Sequence, residues 1–271
     1  MKRHFTQLGL IALFAFSCAP ASWAQTRAAT PAQAYPSKPV RLIVPFPPGG
    51  SNDIVGRFIA TKLTERLGKQ VVADNRGGAG GVIGTEAAAK SEPDGHTLLI
   101  ISSAYAINTS LQKLPYDPLA DFTPVAMLAN YPFLVVVNND LPAKSINELI
   151  ALLKSQPGKI DYASTGPGGN PHLFAELFMQ LSGTKMTQIP YKGSSSAHPD
   201  LLAGNVQVMF DAVAAVTPHV KAGKLKLLAV CGANRAALWP DVPTLDEAGV
   251  KGYAMTSWGG VIAPAKVPKA I

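Results

Sequence analysis

Cysteine is scarce in this 271-residue chain, which holds only Cys18 and Cys231. If Cys18 leaves with a leader segment, no intrachain disulfide can form, and a disulfide scaffold is excluded. Charged residues are 15% and aromatic residues 7%, yet 47% of the chain is apolar, which supplies a packed core and argues against disorder. Past the N-terminus no uninterrupted apolar run reaches the roughly 18–20 residues of a membrane-spanning helix, so a soluble protein is expected. Catalytic signatures are missing as well. There is no G-x-S-x-G elbow, no P-loop pattern and no H-E-x-x-H. His96, His172, His198 and His219 stand apart, without metal-ligand spacing. Ser194, Ser195 and Ser196 could host a nucleophile, but no base is identifiable, and a turn or helix start suits them better. Cys231, ending an apolar run, reads as a small buried hydrophobe. No enzyme activity, cofactor or metal is expected.

What is present begins with an address. Lys2, Arg3 and His4 precede an apolar run from Leu8 to Phe16, and Ser22-Trp23-Ala24 places small residues three and one before Gln25. This predicts an export signal over residues 1–24, cleaved after Ala24, and a periplasmic location. Cys18 raises a lipid-anchored alternative, although bulky Phe16 sits where a lipobox has a small residue. Cleavage removes Lys2 and Arg3 and no acid, leaving 22 of the 24 bases against all 17 acids, a net charge of +5. The bases are scattered, so no nucleic-acid partner is expected; a mild positive excess suits small anions.

Glycine (24) and proline (23) are plentiful, as a fold with many tight strand-to-helix turns requires. Short apolar runs read as strands at Val40–Phe46, Gln70–Asp74, Leu98–Ser102, Leu134–Val137, Ile160–Ser164, Val206–Phe210, Leu225–Val230 and Gly260–Ala263. Between them lie amphipathic helices. One spans about Asn52–Leu67 and stops at Gly68; a second starts from a capping box of Ser145 and Glu148; a third runs from about Pro171 to Leu181 and stops at Gly183. The alternation predicts α/β architecture with largely parallel sheets. It restarts near Phe133, which implies two lobes.

One device occurs twice. A strand runs into Pro45-Phe46-Pro47-Pro48-Gly49-Gly50-Ser51-Asn52-Asp53 and a helix; another runs into Thr165-Gly166-Pro167-Gly168-Gly169-Asn170-Pro171-His172 and a helix. Glycine pairs let the backbone approach a ligand, and the helix behind adds free N–H donors and a positive dipole end. Each loop is thus a candidate anion site without a basic side chain, at the carboxyl end of a strand where ligands favour α/β folds. Gly50 and Gly169 are expected to demand glycine, so a β-branched residue at either should abolish binding. Asn170 is expected to cap its helix, with Pro171 at the first position. Asp53 reads either as a first-turn acid bonded to backbone N–H groups or as a group that orders the loop or binds a ligand's amine. His172 reads as loop support or a ligand hydrogen-bonding group. A third cluster, Gly77–Gly84, misses the GxGxxG spacing and lacks the later acid of a dinucleotide site; close helix–strand packing explains it better.

With these motifs set out, the chain resembles the extracytoplasmic solute receptors of the tripartite tricarboxylate transporter, the Bug-type binding proteins. The resemblance runs from Tyr35-Pro36 onward. It is carried by PFPPGGSND (45–53), NRGGAGGVIGTEAAAKSEPDGHTLL (75–99), STGPGGNPHL (164–173), PYKGSSSAHPDLLAGNVQVMFD (190–211), PDVPTLDEAG (240–249) and SWGGVIAPAKVP (257–268). It implies a two-lobed type II periplasmic binding protein, each lobe a Rossmann-like sheet flanked by helices. Lobe one would comprise residues 35–133 and 230–271, and lobe two residues 134–229. The lobes would close over a small organic mono- or dicarboxylate. By the same resemblance the ligand would meet Phe46, Pro48, Gly49, Gly50, Ser51, Asn52 and Asp53 from one loop. Ser164, Thr165, Gly166, Gly168, Gly169, Asn170 and His172 would contribute from the other, with Ser102, Ala104 and Asp211 facing the same cleft. The implied partners are integral membrane transporter subunits or, alternatively, a sensor kinase, with the receptor itself a monomer. Three departures stand out. His198 occupies a position usually apolar in the family, and Cys231 one where Thr is common. Family members also continue past the segment that ends here at Ile271, so C-terminal helices are expected to be missing, with a truncated, inactive remnant as a further alternative.

Overall fold

The computed structural model describes residues 35–271; the export signal expected over residues 1–24 lies outside the described residues. In chain order the elements are β1 (Val40–Val44), α1 (Ser51–Leu67), β2 (Val71–Asn75), α2 (Val82–Ala89), β3 (Thr97–Ser102), α3 (Ser103–Leu111) and β4 (Phe122–Asn138). They continue with α4 (Ile146–Ser155), β5 (Asp161–Ser164), α5 (Asn170–Ser182), β6 (Thr187–Pro190), α6 (Ser194–Ala203), β7 (Val208–Ala212), α7 (Val213–Lys221), β8 (Leu225–Val230) and β9 (Thr256–Pro264).

Local chemistry explains most boundaries. Helix α1 stops at Gly68, whose left-handed φ of 64° lets its N–H bond the Thr64 carbonyl at 3.1 Å. Helix α5 ends the same way at Gly183. At the start of α4 the Ser145 hydroxyl accepts from the Glu148 N–H at 3.2 Å, and the Glu148 carboxylate reaches back to the Lys144 N–H at 2.8 Å. The capping box is present, its return bond shifted one residue upstream. The cap of α5 differs from the expectation. Gly169 takes the cap position, Asn170 and Pro171 are the first two helical residues, and the Asn170 amide is turned across the cleft to Ser103 and Ser257.

The strands run in the order β2-β1-β3-β9-β4-β7-β5-β6, with β8 also on β4. Parallel pairs are β1 with β2 and β3, and β5 with β6 and β7. Antiparallel pairs are β3 with β9, and β4 with β7, β8 and β9. The sheets are therefore mixed rather than largely parallel. The reason lies in β4 and β9, which pair from Phe122↔Pro264 to Pro132↔Thr256. A chain that leaves one half and returns beside its exit must run antiparallel to itself. From Phe133 onward β4 changes partners, with Phe133↔Ala212 on β7 and Leu134↔Val230 on β8. Its first part is mostly exposed and its last six residues are fully buried.

Each half has apolar clusters on both faces of its sheet. Ile43, Leu99, Ile101 and Ile262 pack on one face of the first half, and Leu42, Val44, Ile100 and Val261 on the other. In the second half Val135, Tyr162, Phe174, Phe178 and Phe210 form the larger cluster, joined by Cys231, Leu245, Val250 and Tyr253. Leu134, Val136, Leu201 and Met209 fill the opposite face. The alternation of Leu134–Val137 between the two clusters follows from the two-residue repeat of a strand buried on both sides.

Candidate functional site

Four strand-to-helix connections meet at one place. They are β1 to α1, β3 to α3, β5 to α5 and β6 to α6. Between them lies a cavity of about 30 Å³, the scale of two or three water molecules. Phe46, Pro47, Gly50, Ser51 and Asn52 bound it from the first connection, and Ser102 and Ala104 from the second. Thr165, Asn170 and Pro171 face it from the third and Ser194 from the fourth, while Tyr131 and Phe133 on β4 and Asp211 on β7 complete the wall.

Ser51 and Asn52 open α1, Ala104 is the second residue of α3, Asn170 opens α5 and Ser194 opens α6. First-turn N–H groups have no carbonyl of their own helix to bond, and each helix start carries the positive end of its dipole. Four such ends converge here. Among the described residues no lysine or arginine lines the cavity. An anion in it is therefore met by backbone donors and hydroxyls rather than by a cation.

The loops are held from behind. Asp53, 3% exposed, accepts from the Gly49 N–H at 2.8 Å, Arg57 Nε at 2.9 Å and Asn75 Nδ2 at 2.8 Å. Asn75 Nδ2 also donates to the Phe46 carbonyl at 3.0 Å, so the first loop is tied to both α1 and β2. In the second loop Ser164 Oγ accepts from the Gly166 N–H at 3.2 Å and Gln188 Nε2 at 2.8 Å. The Gly168 N–H donates to His172 Nδ1 at 3.4 Å. The two halves are joined across the cleft. Ser103 Oγ donates to Asn170 Oδ1 at 2.8 Å, Asn170 Nδ2 donates to Ser257 Oγ at 2.8 Å, and the two serine oxygens are 3.0 Å apart.

Of the residues expected at the site, Phe46, Gly50, Ser51, Asn52, Ser102, Ala104, Thr165, Asn170 and Asp211 share the cavity wall. Pro48, Gly49, Asp53, Ser164, Gly166, Gly168, Gly169 and His172 are not on the wall; Gly49, Asp53, Ser164, Gly166, Gly168 and His172 make the loop bonds just described. Pro47, Tyr131, Phe133, Pro171 and Ser194 were not among the expected residues. Ser194 had a signal: Gly193 ahead of it repeats the strand–glycine–helix device a third time. Tyr131 and Phe133 had none, because they reach the cavity by sheet crossing. Burial, reinforced by the nearby Asp211 charge, pushes the Tyr131 phenol above its usual range and keeps it a donor.

The glycine requirements fall elsewhere than expected. Gly50 has φ −83° and a Cβ there would find nothing nearer than the Pro47 carbonyl at 3.7 Å. Positive φ occurs at Gly49 (82°), Gly166 (90°) and Gly168 (74°). At Gly169 a Cβ would overlap the Thr165 hydroxyl, so close approach does apply there. In the third cluster a Cβ on Gly84 would lie 2.7 Å from Pro45 Cα, which is the tight helix–strand packing expected. Ser194, Asp211 and His198 are linked, but the serine donates to Asp211 Oδ1 (2.8 Å) and His198 bonds Oδ2 (2.9 Å). The serine is not bonded to the imidazole, which a nucleophile needs.

Two α/β halves with a cavity at their helix N-termini define a two-lobed solute-binding protein. The chain matches the family described as tripartite tricarboxylate transporter family receptor over residues 55–271. It is 40% identical to protein BugT of Bordetella pertussis over 267 residues, 97% of this chain and 79% of BugT. Its fold is similar to that of R. palustris Rpa4515 with adipate, at 37% identity and a TM-score of 0.85, covering 87% of this chain and 80% of that one. It is also similar to MatC from Rhodopseudomonas palustris with bound malate, at 32% identity and a TM-score of 0.81, covering 87% and 81%. The chain belongs to the tripartite tricarboxylate transporter receptor family, whose members are periplasmic solute-binding proteins and not enzymes.

Proposed function

We propose that this protein is a periplasmic receptor that closes over a small organic mono- or dicarboxylate and delivers it to integral membrane transporter subunits. The observation that carries the reading is the convergence of four helix N-termini on a cavity whose wall, among the described residues, has no basic side chain. Relatives solved with adipate and malate support the ligand class. The wall residues are the proposed contacts, with Ser51, Asn52, Thr165, Asn170 and the backbone beside them as donors. Export through the signal at residues 1–24 belongs to the same proposal.

The moving bodies are proposed as residues 35–132 with 256–271, and residues 133–255. The partner change of β4 at Phe133 supports the first boundary. Leu245, Val250 and Tyr253 pack in the second half, which supports a return at Thr256 rather than near residue 230. Ligand bridging both bodies binds the closed arrangement better than the open one and shifts the population toward it.

A thermal-shift screen against organic acids, amino acids and sugars tests the proposal. A carboxylate at about a thousand times its dissociation constant should stabilise by about 4 kcal/mol and raise the melting point by about 8–16 °C. Shifts confined to amino acids or sugars would overturn the carboxylate reading.

A further inference from the structure

Asp211 is out of character with a cavity built for anions. It is the only charged side chain on the wall among the described residues, and it is 1% exposed. Where water is excluded, a carboxylate ligand would meet this like charge with little screening. The structure holds a group that can cancel it. His198 Nε2 lies 2.9 Å from Asp211 Oδ2, and His198 is itself 7% exposed. Asp211 Oδ1 is engaged by the Ser194 hydroxyl and the Ala212 N–H, both at 2.8 Å, leaving Oδ2 to the imidazole.

We propose that His198 sets the pH dependence of carboxylate binding, by carrying the proton that neutralises Asp211 in the cavity wall. The inference rests on the carboxylate-receptor reading. With the imidazolium in place the pair has no net charge and the helix N-termini face the ligand unopposed. With the imidazole neutral the pair carries one negative charge, and binding must draw a proton in or bear the repulsion. Affinity therefore rises as pH falls, and binding above the histidine range takes up protons.

Titratable and charged groups near the pair come from α7, β4 and α6. From α7, His219 stands edge-on to His198 with ring centroids 5.1 Å apart, and Lys224 follows that helix. Burial, then the charges of His198 and Lys224, lower the affinity of His219 for a proton against the opposing pull of Asp211; it is the His198 ring that lies in hydrogen-bond contact with the Asp211 carboxylate. From β4, Tyr131 stays a neutral phenol. On α6 itself Asp200 is engaged by the Tyr191 hydroxyl and Asn205 Nδ2.

The test is calorimetry of the unmodified protein with adipate and with malate, in two buffers of different protonation enthalpy. Between about pH 6.5 and 8.5, where these probes are fully ionised, affinity should weaken about 3- to 10-fold, with uptake of up to about one proton per ligand at the upper end. His198→Gln keeps a donor to Asp211 but no ionisable ring, so its binding should be weak, flat with pH and free of proton uptake. Asp211→Asn should bind at high pH at least as tightly as the unmodified protein does at low pH. Flat affinity without proton uptake in the unmodified protein, or an undiminished pH slope in His198→Gln, would overturn the proposal while leaving the receptor reading intact. No binding of any carboxylate at any pH would overturn both.

Discussion

At Asp53, burial alone would raise the carboxyl pKa, but hydrogen bonds from Arg57, Gly49 and Asn75 outweigh it and hold the group below the ordinary aspartate range. An unfolded aspartate titrates near pH 3.9, so the folded state binds the proton less readily. The contribution is fully present above that value and is lost as pH falls through the lower folded one. Asp53→Asn leaves the Gly49 N–H and Arg57 with a weaker acceptor, and should destabilise by about 1–3 kcal/mol at neutral pH. Melting points of the two proteins should differ most at about pH 7 and draw together as pH falls below about 3.9; a gap independent of pH would show that the charge does not matter. Because Asp53 is off the cavity wall, any change in ligand affinity should arise from loosening of the first loop and not from a lost contact.

The loop that opens α5 carries the tightest conformational demand. Gly168 has φ 74°, and a Cβ there would lie 2.8 Å from Asn108 Oδ1 on α3, across the cleft. Gly168→Ala should cost about 1–2 kcal/mol for the left-handed backbone and should weaken binding further by holding the halves apart. Gly50→Ala is the contrast, since its backbone is extended and its surroundings have space. It should bind adipate within about threefold of the unmodified protein, losing only some helix capping. Equal losses from both substitutions, read by calorimetry, would refute the assignment. These two glycines mark how far the sequence could be read. The Pro-Gly-Gly loops were visible because strand, glycine pair and helix are local patterns, and α1, α4 and α5 were visible through their apolar stripes and caps. Which glycine of a pair takes positive φ depends on the path of the neighbouring chain, so Gly50 was misread. Helices α3 and α7 follow their strands without a break, and β4 runs for 17 residues through Pro124 and Pro132; neither feature has a local signature. Tyr131, Phe133 and the His198–Asp211 pair come together only through the sheet crossing and the packing of α6 on β7.

On the proposed receptor reading, closure would draw on bonds that the ligand does not make. Asn170 on α5 spans the cleft to Ser103 on α3 and Ser257 on β9, and neither serine is on the cavity wall. Removing one such bond leaves the ligand's own contacts in place and acts on the equilibrium between open and closed forms. A net hydrogen bond contributes about 0.5–1.5 kcal/mol, so Ser103→Ala should lower the closed population and weaken affinity by about 2- to 10-fold. The factor should be the same for adipate, malate and any other ligand, because it reports the fraction of molecules able to close. Small-angle scattering should show a larger mean radius of gyration for the ligand-free variant and, at saturation, the same closed value as the unmodified protein. A substitution that weakened one carboxylate and spared another would place Ser103 in direct contact with ligand. A variant with unchanged affinity would mean that Ser257 alone holds Asn170 across the cleft, and Ser257→Ala would then have to show the uniform loss.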